Sequence, residues 1–361
     1  MSRTRSAWAM LVLAPFAFGC TEGFDPPSLL TSLRVLAVQP EPASGVPGEP
    51  VTLTMLVHDA RSGREDVPEP APPQVLWIGG CHNPPSRQYF GCYPAIEALA
   101  RQLGEAASDA PLTPVPGYIG VGTEFELPLP ANLLEDAPRY ESDPIHFGVS
   151  YIFFAACAGE LRLDLKSKGS LPLGCFDSAT GRRLGSDDYV EGFTTVYTYE
   201  DALNHNPELE TVKFAGGDVV LGECEADSDC EELAQDLEGF GSYACSDAGQ
   251  CIPVVPRCDD ADGCPEYAIE PVAARASVEP DPSAPEPGHG EILWLNFYAD
   301  GGEFASETRL LNDRETGWID DHASGWRPVH ETPGTVRVFT TVHDNRGGAA
   351  WRGFEVLLRD P

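Results

Sequence analysis

Six cysteines between Cys224 and Cys264, separated by 5, 14, 5, 6 and 5 residues, constrain this chain more than any other feature. A unit of roughly forty residues with few hydrophobic side chains cannot be held by burial alone, so disulfides are expected, each contributing about 2–4 kcal/mol. Structural zinc sites usually place ligand pairs roughly two to four residues apart, and none of these gaps is so short. Six cysteines admit many pairings, and spacing does not choose among Cys224, Cys230, Cys245, Cys251, Cys258 and Cys264. Acidic residues crowd the same segment. Asp227, Asp229, Asp260 and Asp262 are calcium candidates by ligand type, but Cys258 and Ile269 stand where an EF-hand loop needs oxygen ligands at its two ends. A solvated face, with Asp229 capping a short helix, accounts for these carboxylates better.

The N-terminus suggests the compartment. Arg3 and Arg5 precede an apolar run from Ala7 to Phe18, and Ala17-Phe18-Gly19-Cys20 closes it. That order reads as an export signal over 1–19, too short to span a membrane as a helix. It resembles a bacterial lipoprotein signal, with Ala17 where leucine is usual. The resemblance implies that Cys20 becomes the mature N-terminus, carrying diacylglycerol and an amide-linked acyl chain such as palmitate, on a tether over 20–32. Thr21, where some lipoproteins carry an inner-membrane aspartate, implies the outer membrane. The other ten cysteines are an even number, as disulfide pairing in an oxidising compartment requires.

Net charge is −34, and Lys166, Lys168 and Lys213 are the only lysines. Such a chain repels nucleic acid and anionic lipid headgroups. Membrane attachment is therefore expected through lipid, with a glycan or protein as partner. Hydrophobic residues make up 42%, and 36 glycines with 34 prolines suit short strands joined by turns.

Setting Val38 against Val278 aligns 38–60 with 278–300 without a gap. Both copies read Val-x-Pro-acid-Pro, then Pro-Gly, then a strand. Val51, Leu53, Met55 and Val57 alternate with polar residues, the period of a half-buried strand. The arrangement resembles strands A and B of bacterial immunoglobulin-like domains, and the hairpin formed by 335–343 and 349–359 resembles the last hairpin of PKD-like and cadherin-like sandwiches. Together with the small C-x-x-D-x-D-C modules that Cys224-Glu-Ala-Asp-Ser-Asp-Cys230 resembles, these imply a mostly β chain. Two immunoglobulin-like β-sandwiches, 33–218 with long insertions and 269–361, would flank a disulfide-rich module at 219–268.

In the first sandwich, 74–79 is a candidate strand C with Trp77 in the core, and 145–157 is a long late strand. In a sandwich these run antiparallel, which puts Cys81 and Cys157 about 20 Å apart, beyond the ~7 Å limit for a disulfide. Local pairs Cys81–Cys92 and Cys157–Cys175 are expected instead. Pro94, Ile96, Leu99, Ala100 and Leu103 read as a short amphipathic helix that covers the domain. A strand over 192–199 and a short helix over 200–204, stopped by Asn206-Pro207, should follow.

No nucleophile elbow, zinc-protease helix or phosphate loop occurs. His58 and His343 fall on strands at solvent-facing parity, while His82, His205, His289, His322 and His330 lie in Gly/Pro/Asn-rich stretches. Asp59 and Asp344 end strands and should bind turn amides. Four tryptophans, Trp294, Trp318, Trp326 and Trp351, fall in the last seventy residues. Alternation puts Trp294, Tyr298 and Trp351 on one outer face. That face is a binding surface for glycan or protein unless the loops of Trp318 and Trp326, or the cysteine-rich unit, cover it. The expected protein is a non-enzymatic, lipid-anchored envelope protein with a structural or adhesive role. The alternative is an enzyme or substrate-binding lipoprotein with a pocket in the 80–145 insertion, lined by Tyr89, Tyr93 or His82.

Overall fold

A computed structural model describes residues 26–63, 71–106, 114–165, 171–219, 222–235, 242–282 and 290–361. Cys20 with the export segment, Lys166, Lys168 and His289 lie outside them. The chain is mostly β. Its first half contains β1 (Arg34–Glu41), β2 (Pro50–His58), β3 (Gln74–His82), α1 (Tyr93–Ala106), β4 (Ile119–Val121), β5 (Glu124–Pro128), β6 (Phe147–Cys157), β7 (Glu160–Leu163), β8 (Leu173–Phe176) and β9 (Tyr189–Tyr199).

Sheet β1–β2–β5 packs on sheet β4–β3–β6–β9. Alternation in β2 sends Val51, Leu53 and Met55 inward to meet Trp77, Ile152 and Phe154. Trp77 is fully buried, donates Nε1–H to Gly122 O at 2.7 Å and stacks on Phe125. β6 does not alternate. Its apolar run is buried on both faces, because α1 and the β7–β8 hairpin cover the side that a two-layer sandwich would leave wet. Ile96 and Ala100 of α1 supply the cover, as the helical spacing suggests. Cys81–Cys92 ties β3 to the start of α1, and Cys157–Cys175 ties β6 to β8.

The second half contains β10 (Leu209–Phe214), β11 (Gly217–Asp218), α2 (Asp227–Gln235), β12 (Tyr243–Cys245), β13 (Cys251–Pro256), β14 (Tyr267–Ala273), β15 (Leu293–Ala299), β16 (Glu303–Phe304), β17 (Thr308–Asp313), β18 (Gly317–Trp318), β19 (Ser324–Arg327), β20 (Gly334–Asp344) and β21 (Ala349–Arg359). Sheet β11–β10–β14–β19–β16 packs on sheet β12–β13–β21–β20–β15–β17–β18. Phe297, Trp326, Val338, Phe354 and Val356 fill the space between.

The two halves share one strand order. The first has β1–β2–β5 facing β4–β3–β6–β9, and the second has β10–β14–β19 facing β17–β15–β20–β21. In this frame β15 matches β3, whereas aligning Val38 with Val278 sets β15 against β2. The sequence alignment is therefore out of step by one strand. An alternating strand after a Pro-Gly turn has the same signature in either sheet.

Other boundaries shift as well. β10, expected in the first domain, pairs with β14 inside the second core. The cysteine-rich segment is an insertion between β10 and β14. It joins Cys224–Cys245, Cys230–Cys251 and Cys258–Cys264, and its β13 runs parallel to β21. Residues 28–33 are not a loose tether. Leu30 N donates to Ala299 O and Leu33 N to Asp187 O, both at 2.8 Å, and both leucines are buried. The helix expected over 200–204 is absent. There the backbone is committed to side chains, with Asn204 N on Ser44 Oγ and Leu203 O on Arg346.

Candidate functional site

The β20–β21 turn, Asp344–Gly348, inserts into the linker that joins the two halves. Asp344 Oδ1 accepts from Arg346 N and Gly348 N, the turn-amide role its position suggests. Its Oδ2 accepts from Asn204 Nδ2 at 3.0 Å. Gly347 has φ of +99°, and a Cβ there would stand 3.1 Å from Thr195 O. Arg346 is 2% exposed and binds Leu203 O, Glu279 and Glu291. Two carboxylates, Glu279 and Glu291, thus pair with one guanidinium, while Asp344 holds the backbone N–H of the same residue. Burial, reinforced by Asp344, pushes the Glu291 carboxyl up to about 7. Burial also works to raise Glu279, but hydrogen bonds from His205 and Arg346 hold it below the usual range.

Beside this junction is an open groove of about 480 Å³ lined by Arg139, Glu141, Asp143, His146, Glu200 and Asp201, among others. A second hollow of about 320 Å³ adjoins it through Glu200 and Asp201. Arg87 is outside the lining but holds one of its residues, Asp143. It pairs with Asp143 at 2.5 Å, binds Pro138 O and lies over the Phe147 ring at 3.9 Å. Asn83, Ser86 and Arg87 all have positive φ, a rare backbone state for such residues that clusters at functional sites. Acids outnumber bases in the lining, so the groove favours cations. His146 and Glu200 line it side by side, just before β6 and just after β9, with Nδ1 and Oε2 3.5 Å apart.

The residues singled out from sequence are dispersed. Tyr89 stacks on Phe193 at 4.6 Å and Tyr93 sits edge-on to Tyr89, so they form an aromatic surface ladder and line neither hollow. His82 Nδ1 bonds Ser150 Oγ, and Ser150 is fully buried. Trp294, Tyr298 and Trp351 do share an outer face, but each is half-buried. The first half of the chain contributes the cover, with Gln39 bonded to Ala349 O and His58 edge-on to Phe339. His58 is therefore buried despite its outward parity. His343 stacks on Trp294, and burial pushes its ring down to about 4. Trp326 lies inside the core, and Trp318 sits edge-on to His322, so neither covers that face.

The calcium candidates are committed to local backbone. Asp229 accepts from Glu225 N and Ala226 N, Asp227 from Cys245 N, and Asp260 from Asp262 N. Asp260 and Asp262 are exposed. Among the described residues, Cys224, Cys230 and Cys251 form the single group of three or more His, Cys, Asp or Glu with ligand atoms within 4.8 Å. All three are in disulfides. His146 belongs to no sequence motif. Its signal was position, immediately before the long apolar strand.

No family model matches this chain. No curated protein matches it. Among solved structures, that of dimeric latent PorU from Porphyromonas gingivalis aligns over 92% of this chain and 24% of its own, at 12% identity and a TM-score of 0.18. The chain thus spans about a quarter of that protein's length, and the likeness carries no argument. No helix among the described residues is long and apolar enough to cross a membrane.

Proposed function

We propose that this is a non-enzymatic, lipid-anchored protein of the bacterial envelope, attached at the outer membrane through Cys20, in which two immunoglobulin-like sandwiches hold a binding surface away from the lipid. The shared strand order supports the immunoglobulin-like reading. Five disulfides suit an oxidising compartment.

The observation that carries the proposal is the docking of residues 28–33. Leu30 binds at the Ala299 end of β15, and Leu33 binds Asp187 just before β9. The groove lies at the opposite end of β9, beyond Tyr199. From Cys20 to Pro26 the chain reaches at most about 20 Å. A lipid on Cys20 therefore keeps one end of both sandwiches near the membrane and points the groove outward. Cys20→Ser should move the protein from the membrane to the soluble fraction. Retention in the membrane fraction sinks the anchor. The rival reading, a substrate-binding or catalytic site, is favoured by the groove itself, and turnover of any bound molecule would replace the non-enzymatic role.

A further inference from the structure

The His146 side chain is 6% exposed and lines the groove. Its Nε2 lies 3.2 Å from Ala137 O. A carbonyl oxygen only accepts, so this contact puts a proton on Nε2, and in the neutral ring the lone pair then falls on Nδ1. Nδ1 is buried and has no hydrogen-bond partner among the described residues. It faces Glu200 Oε2 at 3.5 Å, longer than a normal N–H···O bond. Glu141, Asp143 and Asp201 line the same hollow.

These features belong together in metal sites. A ligating histidine usually gives its other ring N–H to a carbonyl or carboxylate, which fixes the ring and its tautomer. A tetrahedral ion with ligand bonds of about 2.1 Å holds adjacent donor atoms about 3.4 Å apart. The separation of Nδ1 and Oε2 fits that geometry better than it fits a direct hydrogen bond. Arg139 competes for the same carboxylate, at 3.0 and 3.1 Å from its two oxygens, but is largely exposed.

We propose that His146 Nδ1 and Glu200 form an open site for a divalent transition ion of the zinc class. The protein offers two donors there, since no third His, Cys, Asp or Glu among the described residues has a ligand atom within 4.8 Å of both, so water completes the coordination, and the imidazole selects against calcium and magnesium. The site does not depend on lipid anchoring, so it stands or falls apart from the envelope role.

The full-length chain, stripped with EDTA and kept oxidised so that its thiols stay paired, is titrated with Zn²⁺ by calorimetry and with Co²⁺ by visible absorption. One equivalent of Zn²⁺ should bind with micromolar or tighter affinity, Co²⁺ should give a tetrahedral spectrum, and excess Ca²⁺ should not compete. His146→Gln and Glu200→Gln should each weaken binding at least tenfold. Arg139→Ala should tighten it severalfold by releasing Glu200, and His330→Gln should leave it unchanged. Glu200 and Arg139 are exposed, so their variants test the site even if His146→Gln does not fold. No Zn²⁺ binding up to 100 µM, or binding that Glu200→Gln and Arg139→Ala leave unaltered, overturns the proposal and leaves an imidazolium–carboxylate pair.

Discussion

Asn204 Nδ2 donates to Asp344 Oδ2 at 3.0 Å, and both side chains are buried where the linker between the two sandwiches meets the β20–β21 turn. With Arg346 reaching Leu203 O at 2.9 Å, this contact fastens the two halves through their interiors. A joint of this kind should couple unfolding of one half to that of the other.

Arg346→Met should therefore cost about 3–5 kcal/mol, because it leaves Glu279 and Glu291 without their shared cation in a buried setting. Calorimetry should show one cooperative transition in the parent and two in the variant. A variant that loses under about 1 kcal/mol and still melts in one step contradicts this account of the joint.

Glu291 should make stability fall with rising pH. Its folded carboxyl is raised from 4.5 to about 7, so the folded state holds a proton that the unfolded chain releases. The contribution is complete below about pH 4.5 and is lost as pH rises through 7, with a size on the order of 2–3 kcal/mol. Denaturant melts of the parent and Glu291→Gln from pH 4 to 8 should separate along that slope. Parallel curves would falsify the assignment.

Gly347→Ala should destabilise by about 1–3 kcal/mol, since a side chain at that positive φ is strained and its Cβ crowds Thr195 O. Gly122, also at positive φ but with nothing near its Cβ, separates the two effects. The Gly122→Ala loss, read from thermal melts, should be the smaller. Equal losses at both positions mean that the junction contributes nothing.

Removing Cys157–Cys175 should cost about 3 kcal/mol, against about 2 kcal/mol for Cys258–Cys264, because loop-closure entropy grows with loop length. The loops span 18 and 6 residues. Paired Cys→Ala variants measured by urea unfolding test the order, and a reversed order contradicts it.

Trp326→Ala should cost about 3–5 kcal/mol, as expected for a large side chain deleted from a core. Trp294→Ala and Trp351→Ala should cost less, since both are half-buried. Glycan capture that vanishes in either of these two variants at unchanged stability would restore a binding role to that face.

Much of the local structure was legible in the chain. Alternation located β2, β20 and β21, the amphipathic spacing located α1, and the local cysteine pairs followed from strand direction. These features depend on neighbours in sequence. What needed the tertiary structure was which sheet each strand joins. β15 resembled β2 because period two reports a buried face and is silent about the partner strand. β10 could join the second core only across the cysteine-rich insertion. Outward parity likewise did not expose His58 or Trp294, because the other half of the chain packs on that side. His146 and Glu200 lie more than fifty positions apart and meet only because β6 and β9 pair along their full length. Short-range pattern determined the elements. Long-range pairing, which brings distant residues to adjoining strand ends, decided the groove.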